Sequence, residues 1–294
     1  MKSNRKFCWA LRVVAAAVAG AGASSAMAAD PPEWSEPVTP FRIAGNIHYV
    51  GTRGLSAYLI TSEQGAILLD ATVAQNAALI ERNIESLGVK LRDVRWLISD
   101  HAHADHVGAM AQIQRDTGAR VLASAGDQWA LEHGQNEGDN NYGVQPFAPI
   151  NVDAVVSDGQ VLRLGETELT AHLTPGHTRG CTSWSMTVND RGTPRKVLFL
   201  CSITVAGNTL VANRAYPGIA EDFQTTFAKL ATMQADIVLT SHPGAADVLE
   251  RGAQLRRGNA DAFVDPSALP ALVAESRVNF EAALAKAKER AELP

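Results

Sequence analysis

The stretch "SDHAHADHVG" places three histidines and an aspartate in the six positions from His101 to His106, in a chain with only 8 histidines. It follows "VRWLIS", an apolar run that reads as a strand. It precedes "VGAMAQIQRDTG", which reads as a helix stopped by Gly118. A strand emptying into a helix through such a turn belongs to a layered α/β fold, where sites assemble past the C-terminal ends of strands. His101 and His103 are two apart on an extended segment, so both imidazoles project to the same side. Asp105 and His106 open the helix and point elsewhere. One short turn can thus feed two adjacent metal positions. Histidine and carboxylate without a ligating cysteine suit a zinc-type ion in an open, catalytic site.

The same arrangement recurs along the chain. "ELTAHLTPGH" is a strand running to His177, "VLFLCS" a strand ending at Ser202, and "DIVLT" a strand followed by His242 in "SHPG". Upstream, "IHYVG", "SAYLI" and "AILLDAT" read as short strands, the last two joined by a hairpin turn at "TSEQG". Ile80, Ile84 and Leu87 mark a helix that stops at Gly88, and Phe223, Phe227 and Leu230 mark another. The segment from Glu132 to Asn151 is a long polar loop of the kind that is often functional. Residues Ala268 to Leu293 form an amphipathic surface helix. A hydrophobic fraction of 46% with 19% charged residues describes a globular protein with a sizeable core.

Residues 1–28 read as a secretory signal peptide: a basic start, a short apolar run and an Ala26-Met27-Ala28 cleavage site. The apolar run is short for a span of about 20 residues, so no stable membrane anchor is expected. The mature part, 29–294, reads as a single domain that is periplasmic or secreted, and a monomer. Loss of Lys2, Arg5, Lys6 and Arg12 with the leader leaves 22 basic against 31 acidic residues, a balance of −9. That excludes nucleic acid as a partner, and any anionic substrate must be drawn by a local positive charge. Cys8 leaves with the leader. Cys181 and Cys201 remain, and both a disulfide and two buried free thiols stay open.

"HAHADH", "TPGHTRG" and "SHPG" together resemble the metallo-β-lactamase superfamily, over essentially the whole mature chain. The resemblance implies an αββα sandwich, two central mixed sheets flanked by helices, with two Zn²⁺ at one edge of the sheets. Matched position by position, His101, His103 and His177 would hold the first zinc, and Asp105, His106 and His242 the second. Asp70, closing "AILLDAT", would support the metal-binding loop; its alternative is a helix cap. One subclass of true metallo-β-lactamases has a Cys in the second site and another an Asn at the first His. Here the first position is His101 and Ser202 follows Cys201, which resembles subclass B3, as do "EWSEPVTPFRI", "GCTSW" and "AGNTLVANRAYPGIAEDF". Cys201 should face away from Ser202, although a one-residue slip would make it a ligand.

The implied chemistry is hydrolysis of the β-lactam amide of penicillins, cephalosporins and carbapenems. Two zinc ions about 3.5–4 Å apart hold a shared water as hydroxide, and Asp105, the catalytic residue, orients it. Ser202 and Thr204 would bind the substrate carboxylate, unless their hydroxyls only satisfy nearby backbone. Trp34 would flank the site mouth or simply pack on the sheet. His172 reads as structural. The alternative within the fold is a thioester or lactone hydrolase, glyoxalase II-like or acyl-homoserine-lactonase-like. Such relatives commonly carry an Asp bridging both metals near Ser202, and are usually intracellular. A zinc-binding protein without catalysis is a third reading, against which the complete ligand set argues. Asp100 departs from the small neutral residue usual before the first His. It reads as a solvated or capping group facing away from the metals; its sharper alternative is to orient a zinc-bound His through the other ring nitrogen.

Overall fold

Alternating apolar positions decide the layers. In the computed structural model, which describes residues 30–292, twelve strands form two sheets. The leader expected over 1–28 lies outside the described residues. The first sheet runs in the order β1 (Phe41–Ala44), β2 (Ile47–Tyr49), β3 (Tyr58–Ser62), β4 (Gly65–Leu69), β5 (Val94–Ile98), β6 (Arg120–Ser124) and β7 (Ala154–Val156). β1 to β4 pair antiparallel and β4 to β7 parallel. The second sheet contains β8 (Val161–Leu164), β9 (Thr167–Leu173), β10 (Thr182–Asp190), β11 (Thr193–Leu200) and β12 (Ile237–Thr240), antiparallel except for the β11–β12 pair.

Period-two alternation sends Tyr58, Ile60, Ile67 and Leu69 into the space between the sheets, where they meet Trp184, Val197, Phe199 and Leu239. The intervening Leu59, Ala66 and Leu68 face α1 (Ala77–Ser86), α3 (Met110–Thr117) and α4 (Ala125–His133). On the second sheet Leu198, Leu200 and Val238 face α5 (Ile219–Leu230) and α7 (Ala268–Glu292), whose Phe223, Phe227 and Phe280 rings pack together. Each sheet is therefore apolar on both faces, as a four-layer αββα sandwich requires. The expected fold class holds.

Most expected elements are present, with differences that have physical causes. The helix read from Val107 is two: α2 (Ala104–Val107) starts earlier, inside the histidine motif, and α3 follows it. Gly108 sits at the break, where a Cβ would lie 2.4 Å from the Ala104 carbonyl oxygen and 2.7 Å from the Ala74 nitrogen. α7 is the amphipathic surface helix expected, its apolar face anchored by Leu269, Val273, Phe280 and Leu284. Neither α4 nor α6 (Val248–Arg256) stands out in the sequence pattern.

Cys181 and Cys201 form a disulfide, with Cα atoms 6.0 Å apart. This resolves the open choice in favour of pairing and leaves Cys201 no free thiolate for a metal. The bond joins the segment after His177 to the end of β11 and closes a loop across a sequence separation of 20. A loop of this size restricts the unfolded chain by about 3 kcal/mol. The Cys181→Ser/Cys201→Ser double variant should lose stability of that order in urea titration. An unchanged midpoint would show that the bond leaves the unfolded ensemble unaffected.

Candidate metal centre

Five strands deliver their C-terminal ends to one edge of the sandwich. β4 ends at Asp70, β5 at the His101–His106 turn, β9 at the loop carrying His177, β11 at Ser202 and β12 just before His242. The two sheets are sewn together there. The Trp184 indole donates to the Ser99 carbonyl at 3.2 Å, Thr182 N–H to the Asp100 carbonyl at 2.8 Å, and the Tyr58 hydroxyl to the Thr240 carbonyl at 2.8 Å.

Asp70 is no helix cap. It is fully buried at φ 62°, followed by Thr72 at φ 58°. The left-handed region is costly for a β-branched residue, so this turn persists because its surroundings fix it. Ala71 N–H donates to the His106 carbonyl at 2.8 Å and Ala109 N–H to the Thr72 carbonyl at 3.2 Å. Asp70 Oδ1 accepts from the Asp100 N–H at 3.0 Å, and Oδ2 lies 3.7 Å from His106 Nδ1. Asp70 thus braces the histidine turn from below. Burial, then the charge of Asp100, pushes its carboxyl up to about 8.

Three imidazoles converge, each held by its outer nitrogen. His101 Nδ1 donates to Asp100 Oδ1 at 2.8 Å, which leaves Nε2 as a lone pair with no hydrogen-bond partner. His177 Nδ1 donates to the Thr204 carbonyl at 2.8 Å, turning Nε2 inward. His103 is reversed: its Nε2 lies 3.3 Å from the Tyr142 hydroxyl and its Nδ1 3.2 Å from His177 Nε2. Ligand atoms of the three lie within 4.8 Å of one another. Burial lowers all three, His177 to about 3, so the rings are neutral.

Asp105, His106 and His242 form a second group within the same limit. Asp105 Oδ2 lies 3.1 Å from His106 Nε2 and 3.3 Å from His242 Nε2. Burial alone would raise Asp105, but the charge of His106 holds it well below the usual carboxylate range, and Asp105 in turn holds the buried His106 high. The centres of the His101 and His106 rings are 4.2 Å apart, so the two groups are neighbours. Five imidazoles and one carboxylate, with a buried His101 Nε2 that no protein group satisfies, fit a pair of zinc-type ions. The sulfur of Cys201 reaches within 3.9 Å of His101 Nδ1, but that nitrogen is engaged by Asp100 and the sulfur by Cys181.

Asp100 reverses the expectation that it faces away as a solvated or capping group. It is 1% exposed, its Oδ1 meets His101 Nδ1, and its backbone N–H donates to Asp70 Oδ1. Ser202, Thr204 and Trp34 all line a cavity of about 500 Å³ over both donor groups, together with Tyr142 and Gln145 from the long polar loop. Ser202 Oγ and Thr204 Oγ1 are 3.0 Å apart at its wall. The Trp34 ring lies 6.2 Å from His242, and its carbonyl accepts from Asn76 Nδ2 at 2.8 Å and Thr52 Oγ1 at 2.9 Å. His172 is remote from the centre, bonded to Ser185 at 2.7 Å.

The family model for the metallo-beta-lactamase superfamily matches residues 50–242, a span that holds all six donors. The chain belongs to the metallo-beta-lactamase superfamily. Among solved structures it is similar to BJP-1, a subclass B3 metallo-beta-lactamase of Bradyrhizobium japonicum, at 40% identity with a TM-score of 0.84, covering 89% of this chain and 99% of that one. It is also similar to the FEZ-1 metallo-beta-lactamase from Legionella gormanii, at 36% identity and a TM-score of 0.82, covering 86% and 98%. A curated relative, a hydroxyacylglutathione hydrolase of Methylococcus capsulatus, is 26% identical over 110 residues, 37% of this chain and 36% of that protein. The chain thus spans about a third of the length of that curated relative. Family membership makes the chain a metal-dependent hydrolase whose structural neighbours are subclass B3 enzymes. Among the described residues no helix is long and apolar enough to cross a membrane.

Proposed function

We propose that the protein is an exported zinc β-lactamase of the B3 kind, opening the lactam amide of penicillins, cephalosporins and carbapenems. The observation that carries this is the pairing of two donor groups, His101–His103–His177 and Asp105–His106–His242, on the floor of one cavity. Near-complete coverage of subclass B3 structures supports the substrate class. Export rests on the leader read from residues 1–28.

His101, His103 and His177 would hold one zinc ion and Asp105, His106 and His242 a second, and zinc there would supply Lewis-acid polarisation of the lactam carbonyl and activation of a water. Asp105, whose carboxylate stays ionised between two imidazoles, would orient that water by accepting a hydrogen bond from its O–H. Ser202 and Thr204 would donate to the substrate carboxylate, and Trp34 would close one side of the cavity mouth. No serine nucleophile is needed, so no covalent protein intermediate forms.

Ser202→Ala tests the substrate anchor. If the hydroxyl binds the ground and transition states alike, KM should rise roughly tenfold, the scale of one hydrogen bond to a charged group, with kcat nearly unchanged. A loss confined to kcat would remove the carboxylate-anchor role. Hydrolysis of a thioester or lactone is the second reading, favoured by the hydroxyacylglutathione hydrolase relatives. Against it, the end of β11 offers serine at 202, where such enzymes commonly place a bridging aspartate. Steady-state assays of nitrocefin, a glutathione thioester and an acyl lactone on one zinc-loaded preparation discriminate the two by kcat/KM.

A further inference from the structure

Asp127 lies outside both donor groups, yet one carboxylate binds the two loops that supply the first of them. It sits in the first turn of α4 and is 4% exposed. Its Oδ2 accepts from the N–H of Ala102, the residue between His101 and His103, at 2.9 Å, and from the Thr178 hydroxyl, beside His177, at 3.1 Å. Its Oδ1 accepts from the Gly180 N–H at 3.0 Å. The seat is built for this approach. A Cβ at Gly180 would lie 2.4 Å from the Asp127 carboxyl carbon, and the Gly180 carbonyl accepts from Ser124 Oγ at 2.7 Å. The two loops leave different sheets, β5 in one and β9 in the other, so their spacing is not set by strand pairing.

We propose that Asp127 is a positioning residue that clasps the His101–His103 loop to the His177 loop and so fixes the first zinc tripod before metal arrives. The inference rests on the zinc-centre reading above. Asparagine would keep one acceptor oxygen, but its amide would turn N–H groups toward a donor on one of the loops. One side of the clasp then opens, whichever way the amide lies.

The test is zinc affinity of full-length mature protein by chelator competition, for wild type, Asp127→Asn, Thr178→Val and Leu284→Ala in parallel. Leu284→Ala, on the far α7 helix, controls for general loss of stability. Asp127→Asn should weaken zinc binding about 10–100-fold, the usual range when a group orienting metal ligands is lost, while Leu284→Ala binds like wild type. In the metal-free protein, amide exchange at Ala102 and Gly180 should accelerate in Asp127→Asn. Unchanged affinity in folded Asp127→Asn overturns the clasp, as does an equal loss in Leu284→Ala. If Asp127→Asn fails to fold, Thr178→Val decides. A loss of about fivefold, the scale of one hydrogen bond, supports the clasp, and wild-type affinity overturns it. Wild type that binds no zinc removes the centre and the clasp together; wild type and Asp127→Asn binding equally remove the clasp alone.

Discussion

Asp105→Ala should reduce zinc from two ions to one per chain and lower kcat/KM for a β-lactam by ~100-fold or more. Its Oδ2 is shared between His106 Nε2 and His242 Nε2, so it supplies the only anion in the second group. Two neutral imidazoles alone hold a dication poorly. Loss of groups that merely orient ligands already costs about 10–100-fold, so loss of a donor should cost at least as much. The carboxylate is also the one ionised group placed to direct an attacking water. Metal analysis by mass spectrometry together with steady-state kinetics checks both effects. Two zinc ions and undiminished turnover in Asp105→Ala would mean that the second group does not hold a metal.

Asp100→Asn should lower zinc affinity about 10–100-fold without replacing any ligand. The ionised carboxylate fixes the proton of His101 on Nδ1, 2.8 Å away, and so directs the Nε2 lone pair into the centre. Burial would raise Asp100, but the His101 imidazole hydrogen-bonded beside it holds the carboxyl below its ordinary range. An asparagine amide can instead donate to Nδ1, which moves the ring proton to Nε2 and faces a donor toward the metal. Chelator competition measures the loss, and ¹⁵N spectra of the imidazole report the tautomer. Wild-type affinity with Nδ1 still protonated would show that the negative charge of Asp100 is dispensable.

How far the sequence could be read depended on whether a feature is local. His101, His103, Asp105 and His106 were legible as candidate donors because they share one six-residue stretch, whereas His177 and His242, each placed past a strand, joined them through the family resemblance, and the structure gathers all six into two groups. The strands were legible as short apolar runs, the layering followed from the family resemblance, and the division of neighbours such as Leu59 and Ile60 between two cores came only with the structure. The orientation of Asp100 was not legible. A carboxylate after a strand faces either way, and its inward contact with His101 is seen only once the chain is folded. The pairing of Cys181 with Cys201 depends on a distance across the second sheet, which spacing along the chain does not give. Asp127 left no trace, because two of its three partners, Ala102 and Gly180, bind through their backbones and the third, Thr178, lies 51 positions away. Tyr142 had one signal, its place in the long loop from Glu132 to Asn151, but nothing there pointed to His103.

The most direct measurement is hydrolysis of a penicillin, a cephalosporin and a carbapenem by the purified mature chain, before chelation, after chelation and after zinc return. A glutathione thioester and an acyl lactone belong in the same series. The expected outcome is β-lactam turnover that vanishes with the metal, returns as zinc approaches two ions per chain, and exceeds turnover of the other two substrates in kcat/KM. A folded protein carrying two zinc ions that opens no β-lactam, or that prefers the thioester, would refute the assignment.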